Sequence, residues 1–390
     1  MGRGGVVWAS SHDSGRGNRR RWKVPRAEAE WYGPHWKRFQ WRFVRSGEGH
    51  MSRTTIKDVA AEAGVSLGTA SRALSGNGSI AAPTRERVLA AARRLNFVPN
   101  AQAGSLRSER TRTIGLLIPD IRNPFFAELA HVVERSARSE GLSVMLCSAD
   151  EDPQQMHDYA TVLRRQRVDG IIVAPFSTAR DSLRELQGSG TPLVFLDRTI
   201  PGMGVPAVVS DTRDAIADAV RYLVDQGAHR IGYISGPSET TTGVERLAEF
   251  RAAAAASGVD IEIAHGDFQE HSGRLGMRSL LARGVDGVLA SDSLMTIGAF
   301  KECRAAGVKP AQDLPFVGFD DIAPFALLQP SLPLICQDLH SMGAAAVQML
   351  LTQLGGVTSS QELRLEAHLK LPSGSEADSA QPIDPHHHES

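Results

Sequence analysis

Ser66, Thr69, Ser71 and Arg72 place three hydroxyls and one guanidinium within seven residues. Such a set can cap a helix, hold a phosphate and hydrogen-bond a base edge, but has no nucleophile–base pairing to break a bond. The elements that must position it are legible on either side. Thr55-Ile56-Lys57-Asp58 reads as a helix start, a hydroxyl N-cap with an acidic residue three positions on. Val59, Ala60 and Ala63 give that helix an apolar face. Gly64-Val65 makes a tight break, and Ser66 is placed to cap a second helix running through Leu67, Thr69, Ser71, Arg72 and Leu74. Two short helices joined by a glycine-containing turn form a helix-turn-helix, whose second helix can enter a major groove. A third helix is predicted from about Thr84 to Leu95, with Val88, Ala91, Ala92 and Leu95 at core spacing. Asn100 to Arg107 follows Pro99 as a short, weakly helical tail.

Ile56-Lys57-Asp58-Val59-Ala60, Ala63-Gly64-Val65-Ser66, Thr69-Ala70-Ser71-Arg72, Thr84-Arg85 and Leu95-Asn96-Phe97-Val98-Pro99-Asn100 stand in an ordered series. In it the chain resembles the lactose-repressor (LacI/GalR) family of bacterial transcription factors, and the likeness continues more loosely to Pro372. The resemblance implies that the second helix enters the major groove, with Leu67, Gly68 and Arg72 at base-reading positions and Ser66, Thr69 and Ser71 set for capping and phosphate contacts. Arg72 can then take guanine N7 and O6 with two hydrogen bonds, a contact worth roughly 1–3 kcal/mol of discrimination. The plain alternative for Arg72 is an exposed ion pair with Glu62 or Glu86. The resemblance further implies a hinge helix in the minor groove. Asn100 lies at its start, Ala103 is small enough for two copies to pack, and Leu106 is the wedge that kinks the duplex. Gly104 and Ala81 depart from the family pattern, Gly104 weakening the hinge helix and Ala81 removing a capping hydroxyl.

The net charge of −1 hides an asymmetry. Residues 1–50 hold 11 Lys/Arg against 4 Asp/Glu, residues 51–112 hold 10 against 4, and the remainder carries 22 against 36. That pattern fits a polyanion-binding front end on an acidic body. All five tryptophans fall between Trp8 and Trp41 in an aperiodic stretch rich in Arg and Gly. Residues 1–50 read either as a disordered basic arm or as sequence upstream of a true start at Met51. Cys147, Cys303 and Cys336 are widely spaced, as buried thiols of a reducing compartment are. No apolar run approaches the roughly 18 residues of a membrane span, and the N-terminus has no secretory h-region. A cytoplasmic protein with no membrane partner is expected.

From Thr113 short apolar runs alternate with helical stretches. Ile114–Ile118, Val144–Leu146, Gly170–Val173, Leu193–Leu196, Ile231–Ile234, Val288–Ala290 and Phe316–Phe319 read as buried parallel strands. Helices are predicted over Phe125–Glu140, Met156–Gln166, Arg213–Gln226, Val244–Ala256 and Leu294–Ala306. The alternation argues a doubly wound α/β core, and its length argues two such subdomains. The fold class is therefore an all-α helix-turn-helix headpiece with a hinge helix, followed by an α/β core of two doubly wound parallel-sheet subdomains. The resemblance makes this core similar to periplasmic sugar-binding proteins, with a ligand between the subdomains. The expected organisation is a headpiece over 51–99, a hinge over 100–112, a core over 113–372 and a disordered tail over 373–390.

Open α/β sheets bind ligands at strand ends. Asp197-Arg198, Asp267-Phe268, Ser291-Asp292 and Asp320-Asp321 stand there, Arg246 lies early in a helix, and Asn123, Phe125 and Phe126 open the first core helix. Of these, Asn123, Phe125, Asp197, Arg246, Phe268, Ser291 and Asp320 match pocket positions of the family and are the expected effector contacts. A forked arginine and a carboxylate facing aromatic rings suit a small polyhydroxyl ring. Ser291 is shorter than the asparagine common at its position, and Glu249 replaces a frequent glycine. Strand-end Asp and Asn also serve as turn formers and caps, the role expected of Asp292 and Asp321.

Leu363–Leu371 alternates as one final strand. Without leucine heptads after it, a homodimer is expected rather than a coiled-coil tetramer. His386-His387-His388 is a flexible run of the kind that is usually incidental. A regulator controlled by a small effector, most simply a repressor on double-stranded operator DNA, is the reading that absorbs all of these features. An exported binding protein would show an export signal and no headpiece. An enzyme would show a phosphate loop, a nucleophile elbow, HExxH or a Cys/His cluster, and the chain has none. No catalytic residue, cofactor or metal site is expected.

Overall fold

The computed structural model describes residues 54–75, 80–97, 110–328 and 331–372. The expectations for residues 1–50, for the hinge positions Asn100, Ala103 and Leu106, and for the tail after Ser373 lie outside these residues.

Among the described residues the headpiece holds three helices, α1 (Ile56–Glu62), α2 (Leu67–Ser75) and α3 (Ala82–Arg94). At the start of α1 the backbone N–H and the hydroxyl of Thr55 both donate to Asp58, at 2.8 Å each. Gly64 turns the chain in the left-handed region at φ 62°, where a side chain would be strained. Ser66 Oγ accepts from the Thr69 N–H at 3.1 Å and so caps α2. α3 begins two residues earlier than its pattern predicts, with Pro83 in its first turn and no side-chain cap from Ala81. The helices close on Val59, Ala60, Ala63, Ala70, Ala73, Val88, Ala91 and Ala92, a core of small side chains.

The core is two six-stranded sheets, each between helical layers. The first contains β1 (Thr113–Ile118), β2 (Ser143–Ser148), β3 (Gly170–Val173), β4 (Leu193–Leu196), β5 (Ala207–Asp211) and β11 (Glu362–Glu366), in the order β11-β5-β4-β3-β1-β2 and all parallel. The second contains β6 (Arg230–Ser235), β7 (Asp260–His265), β8 (Gly287–Ala290), β9 (Phe316–Phe319), β10 (Leu334–Cys336) and β12 (His368–Lys370), in the order β12-β10-β9-β8-β6-β7. Only β12 runs antiparallel. Alternation along β1 sends Ile114, Leu116 and Ile118 to one face and Leu117 to the other, so each face has its own core.

The helices are α4 (Pro124–Ser139), α5 (Pro153–Arg165), α6 (Arg180–Gly188), α7 (Arg213–Asp225), α8 (Thr241–Ser257), α9 (Glu270–Ala282), α10 (Ser293–Ala305) and α11 (Leu339–Leu354). The five predicted core helices are present. α6, α9 and α11, with strands β5 and β10, go beyond the sequence reading, which gave of β7 only the end before Asp267.

The chain crosses between subdomains three times. Thr212 leads from β5 into α7, which packs in the second subdomain through Ile216, Val220 and Leu223. Gln337-Asp338 leads from β10 into α11, which returns to the first through Met342, Val347 and Leu350. The third crossing corrects the single final strand. Its alternation holds, but β11 pairs with β5 in one sheet and β12 with β10 in the other, with buried Ala367 between them. Cys147, Cys303 and Cys336 are buried and unbridged.

Candidate functional site

On α2 the side chains at the predicted reading positions face outward. Leu67 is 43% exposed, an apolar side chain with no core to serve, and Ser66, Gly68 and Arg72 are also exposed. Thr69 and Ser71 are half-buried. A Cβ at Gly68 would meet only Ser66 Oγ, at 3.9 Å, so packing does not demand a glycine there. Arg72 Nε donates to the Gly68 carbonyl at 3.3 Å. Glu62 is paired instead with Arg94, at 2.9 Å.

The second candidate site lies between the subdomains. Asn123, Phe125, Phe126, Asp197, Arg198, Thr242, Arg246, Phe268, Asp292, Asp320 and Gln337 enclose a cavity of about 20 Å³. Six of the seven predicted contacts converge here. The seventh, Ser291, stands behind the wall: its side chain is fully buried, and its carbonyl accepts from Arg246 Nη1 at 2.9 Å. Phe126, Arg198, Thr242, Asp292 and Gln337 join the set. Gln337 had no signal in the sequence because it follows a strand of only three residues.

Local backbone geometry aims these side chains. Asp197, Phe268 and Asp320 follow the ends of β4, β7 and β9 and adopt φ of 66°, 64° and 62°. Left-handed backbone at three non-glycine residues around one cleft is strain of the kind that gathers at ligand sites. Gly236 leaves room for the Phe268 ring, since a Cβ there would run into the ring edge.

Two arginines face the cleft. Arg198 is held by Glu151 through both terminal nitrogens, at 3.2 and 3.0 Å, and its guanidinium carbon lies 5.1–5.6 Å from the ring centroids of Phe126, Phe176 and Phe268. Arg246 donates to neutral acceptors, the Ser291 carbonyl and Gln337 Oε1 (3.2 Å), and stacks 4.2 Å over Phe319. Gln337 Nε2 in turn donates to Asp320 Oδ1 at 2.7 Å. Asp292 caps α10 by accepting the Met295 N–H at 2.9 Å, and also accepts Asn123 Nδ2 at 3.0 Å from the other subdomain. Ser293 donates to Asn123 Oδ1 at 3.0 Å, completing a clamp across the cleft.

Burial pushes the Asp292 carboxyl up to about 7, helped by neighbouring Asp320 and opposed by the Met295 N–H, Asn123 and Arg246. Asp320 is pushed up to about 6 by burial, against the pull of Arg246 and Gln337. Asp197 is raised by burial too, against Arg246 and Arg198. Three such carboxylates, a forked cation and aromatic faces can pair hydroxyls and cover an apolar ring face. No group of His, Cys, Asp and Glu that could hold a metal occurs among the described residues.

Residues 55–100 match the profile of bacterial regulatory proteins of the lacI family, and residues 111–370 that of periplasmic binding proteins and the sugar-binding domain of the LacI family. The chain belongs to the LacI family. The ribose operon repressor of Halalkalibacterium halodurans is 35% identical over 303 residues, 77% of this chain and 90% of that protein. The transcriptional repressor CytR of Escherichia coli K12 is 32% identical over 307 residues, again 77% and 90%. Among solved structures, the Lac repressor dimer bound to operator and the anti-inducer ONPF aligns at a TM-score of 0.72 and 25% identity, over 82% of this chain and 98% of that one. The complex of the regulator CelR with cellobiose aligns at 0.62 and 30%, over 82% and 99%. The LacI-family chain described here is a DNA-binding transcriptional regulator with an effector-binding core, not an enzyme. Among the described residues no helix is long and apolar enough to cross a membrane.

Proposed function

We propose that the protein is a cytoplasmic repressor that binds a near-palindromic operator as a homodimer and is controlled by a sugar of about pentose size bound between the core subdomains. The observation that carries this reading is the convergence of Arg246, Asp197 and Asp320 with Phe125 and Phe268 on one cleft. Fork and carboxylates pair ring hydroxyls while the aromatic faces cover the ring. The cavity of about 20 Å³ has room for about one water, so a ring enters when the Asn123–Asp292 clamp parts. Ribose is the first compound to test, because the relatives from H. halodurans and Bacillus subtilis are named ribose operon repressors.

In this reading Ser66, Thr69 and Ser71 position α2 on phosphates while Leu67 and Arg72 touch base edges, Arg72 supplying most of the discrimination. The headpiece spans 51–99, the hinge 100–112 and the effector core 113–372. Closure of the cleft moves the first subdomains of the two protomers and governs whether the hinge helices pair. The dimer closes over an apolar hollow of about 420 Å³ lined by Ile297, Phe300, Pro324, Phe325 and Leu328, beside Leu327, which is 84% exposed. Leu327→Asp is then expected to yield monomers in sedimentation velocity, and a variant that stays dimeric would move the interface elsewhere.

Selection of randomised duplex DNA by the purified chain tests the whole proposal. A two-fold symmetric site, released or retained on addition of ribose or a related sugar, is the expected result. Enrichment of no site in the presence and absence of the sugars would refute it.

A further inference from the structure

One face of α8 serves the cleft and the crossings together. Thr242, Glu245, Arg246 and Glu249 recur at the i, i+3, i+4, i+7 spacing of a single helical face. Thr242 and Arg246 line the cleft. The same face reaches all three crossings between subdomains. Glu249 Oε2 accepts from Thr212 Oγ1 at 2.6 Å on the first. Arg246 Nη2 donates to Gln337 on the second, and Glu245 takes Arg364 of β11, at 3.1 and 3.4 Å, just before the third.

These links differ in strength. The Glu245–Arg364 pair has side chains 41% and 39% exposed, and such surface pairs contribute little. The Glu249–Thr212 bond is short and made to a residue only 4% exposed, so it is the stiff one. Its place matters as well: Glu249 sits one turn beyond Arg246, and Thr212 is the residue through which β5 passes into α7.

We propose that Glu249 is a positioning residue of the effector response: by holding Thr212 it ties the helix that carries Arg246 to the first crossing, so that movement of Arg246 on a ligand reaches the hinge. The proposal rests on the reading of the cleft as the effector site. Glu249 does not line the cavity. Its effect is on coupling rather than on either affinity alone.

The test uses the full chain, its selected operator duplex and D-ribose. Coupling between two sites typically spans 5- to 150-fold in affinity. Glu249→Ala is expected to keep ligand-free operator affinity and sugar affinity within about threefold, while the sugar-induced change in operator affinity shrinks by about tenfold or more. Glu249→Gln retains an acceptor for the Thr212 hydroxyl and should retain the response. Thr212→Val should reproduce the loss, and the double variant should add nothing to it. A wild-type-sized response in Glu249→Ala, or additive losses in the double variant, overturns the proposal. Amide hydrogen exchange reads the same contact without a ligand: amides 212–216 should exchange faster in Glu249→Ala, and unchanged exchange there also overturns it. A wild-type chain whose operator affinity neither D-ribose nor any other sugar alters would instead overturn the effector reading, and this proposal with it.

Discussion

Two arginines stand in one cleft and do opposite work. Arg198, from the first subdomain, is 2% exposed, gripped in parallel by Glu151 and surrounded by three phenylalanine rings. Arg246, from the second, is also buried, yet its hydrogen bonds go to a carbonyl and an amide. Arg198 has its charge cancelled at contact distance. The charge of Arg246 is shared at longer range among Asp197, Asp292 and Asp320, all of which it pulls downward. The first is a wall, and the second can exchange a neutral acceptor for a ligand hydroxyl without breaking an ion pair. Burial alone therefore does not separate scaffold from recognition; the chemistry of the acceptors does.

The largest effect should come from breaking the wall. Glu151→Ala strips the buried Arg198 guanidinium of its forked partner and leaves only Asp197, 3.6 Å from Nε, which costs up to about 3–5 kcal/mol and should lower the denaturant midpoint of the core sharply. A midpoint near wild type would mean that Arg198 escapes to solvent and that the two arginines are less different than their partners imply. Arg246→Ala is expected to leave that midpoint much closer to wild type. Its sugar affinity should fall by the worth of hydrogen bonds to a charged group, about 1.5–3 kcal/mol, or roughly 10- to 150-fold by calorimetry. Arg246→Lys keeps the charge but loses the fork, and should fall between the two.

A further effect is on pH dependence. Asp292 and Asp320 ionise at about 7 and about 6 in the fold, against a usual 3.8. Between those values the native chain holds protons that the unfolded chain has released, so stability falls as pH rises from about 4 through 7. Thermal unfolding followed across that range should show the decline. Asp292→Asn should flatten its upper part, and an unchanged slope would place the titrating group elsewhere.

The sequence was most readable where burial is most uniform. β3, β4, β8 and β9 are buried at every position, and their unbroken apolar runs announce them. β7 is an edge strand in which Asp260 and Glu262 interrupt the apolar residues, and β10 is three residues long. Of β7 only the end before Asp267-Phe268 is legible, and β10 leaves no signal above that of a loop. Gln337 was lost with β10. Asp292 was read as a helix cap, and it is one, but its second oxygen reaches across the cleft to Asn123, 169 residues away in sequence. No local pattern carries a contact of that span. Ser291 shows the converse: a strand end fixes which residue stands at the cleft, while the final rotation of the chain decides whether side chain or carbonyl is presented.

The threefold crossing also sets a timetable. Met342, Ala346, Val347 and Leu350 of α11 fill one face of the first subdomain, and Leu350 packs where a side chain at Gly170 would otherwise stand. At ordinary elongation rates of about 5–20 residues per second, α11 leaves the ribosome on the order of ten to fifty seconds after β1. The half of the core that is begun first therefore stays incomplete until β6 to β10 of the second have been made. Until then Ile172, Val194 and Val208 of β3, β4 and β5 lack their cover from α11, and a nascent chain halted before Leu339 is a client for a chaperone rather than a shorter regulator.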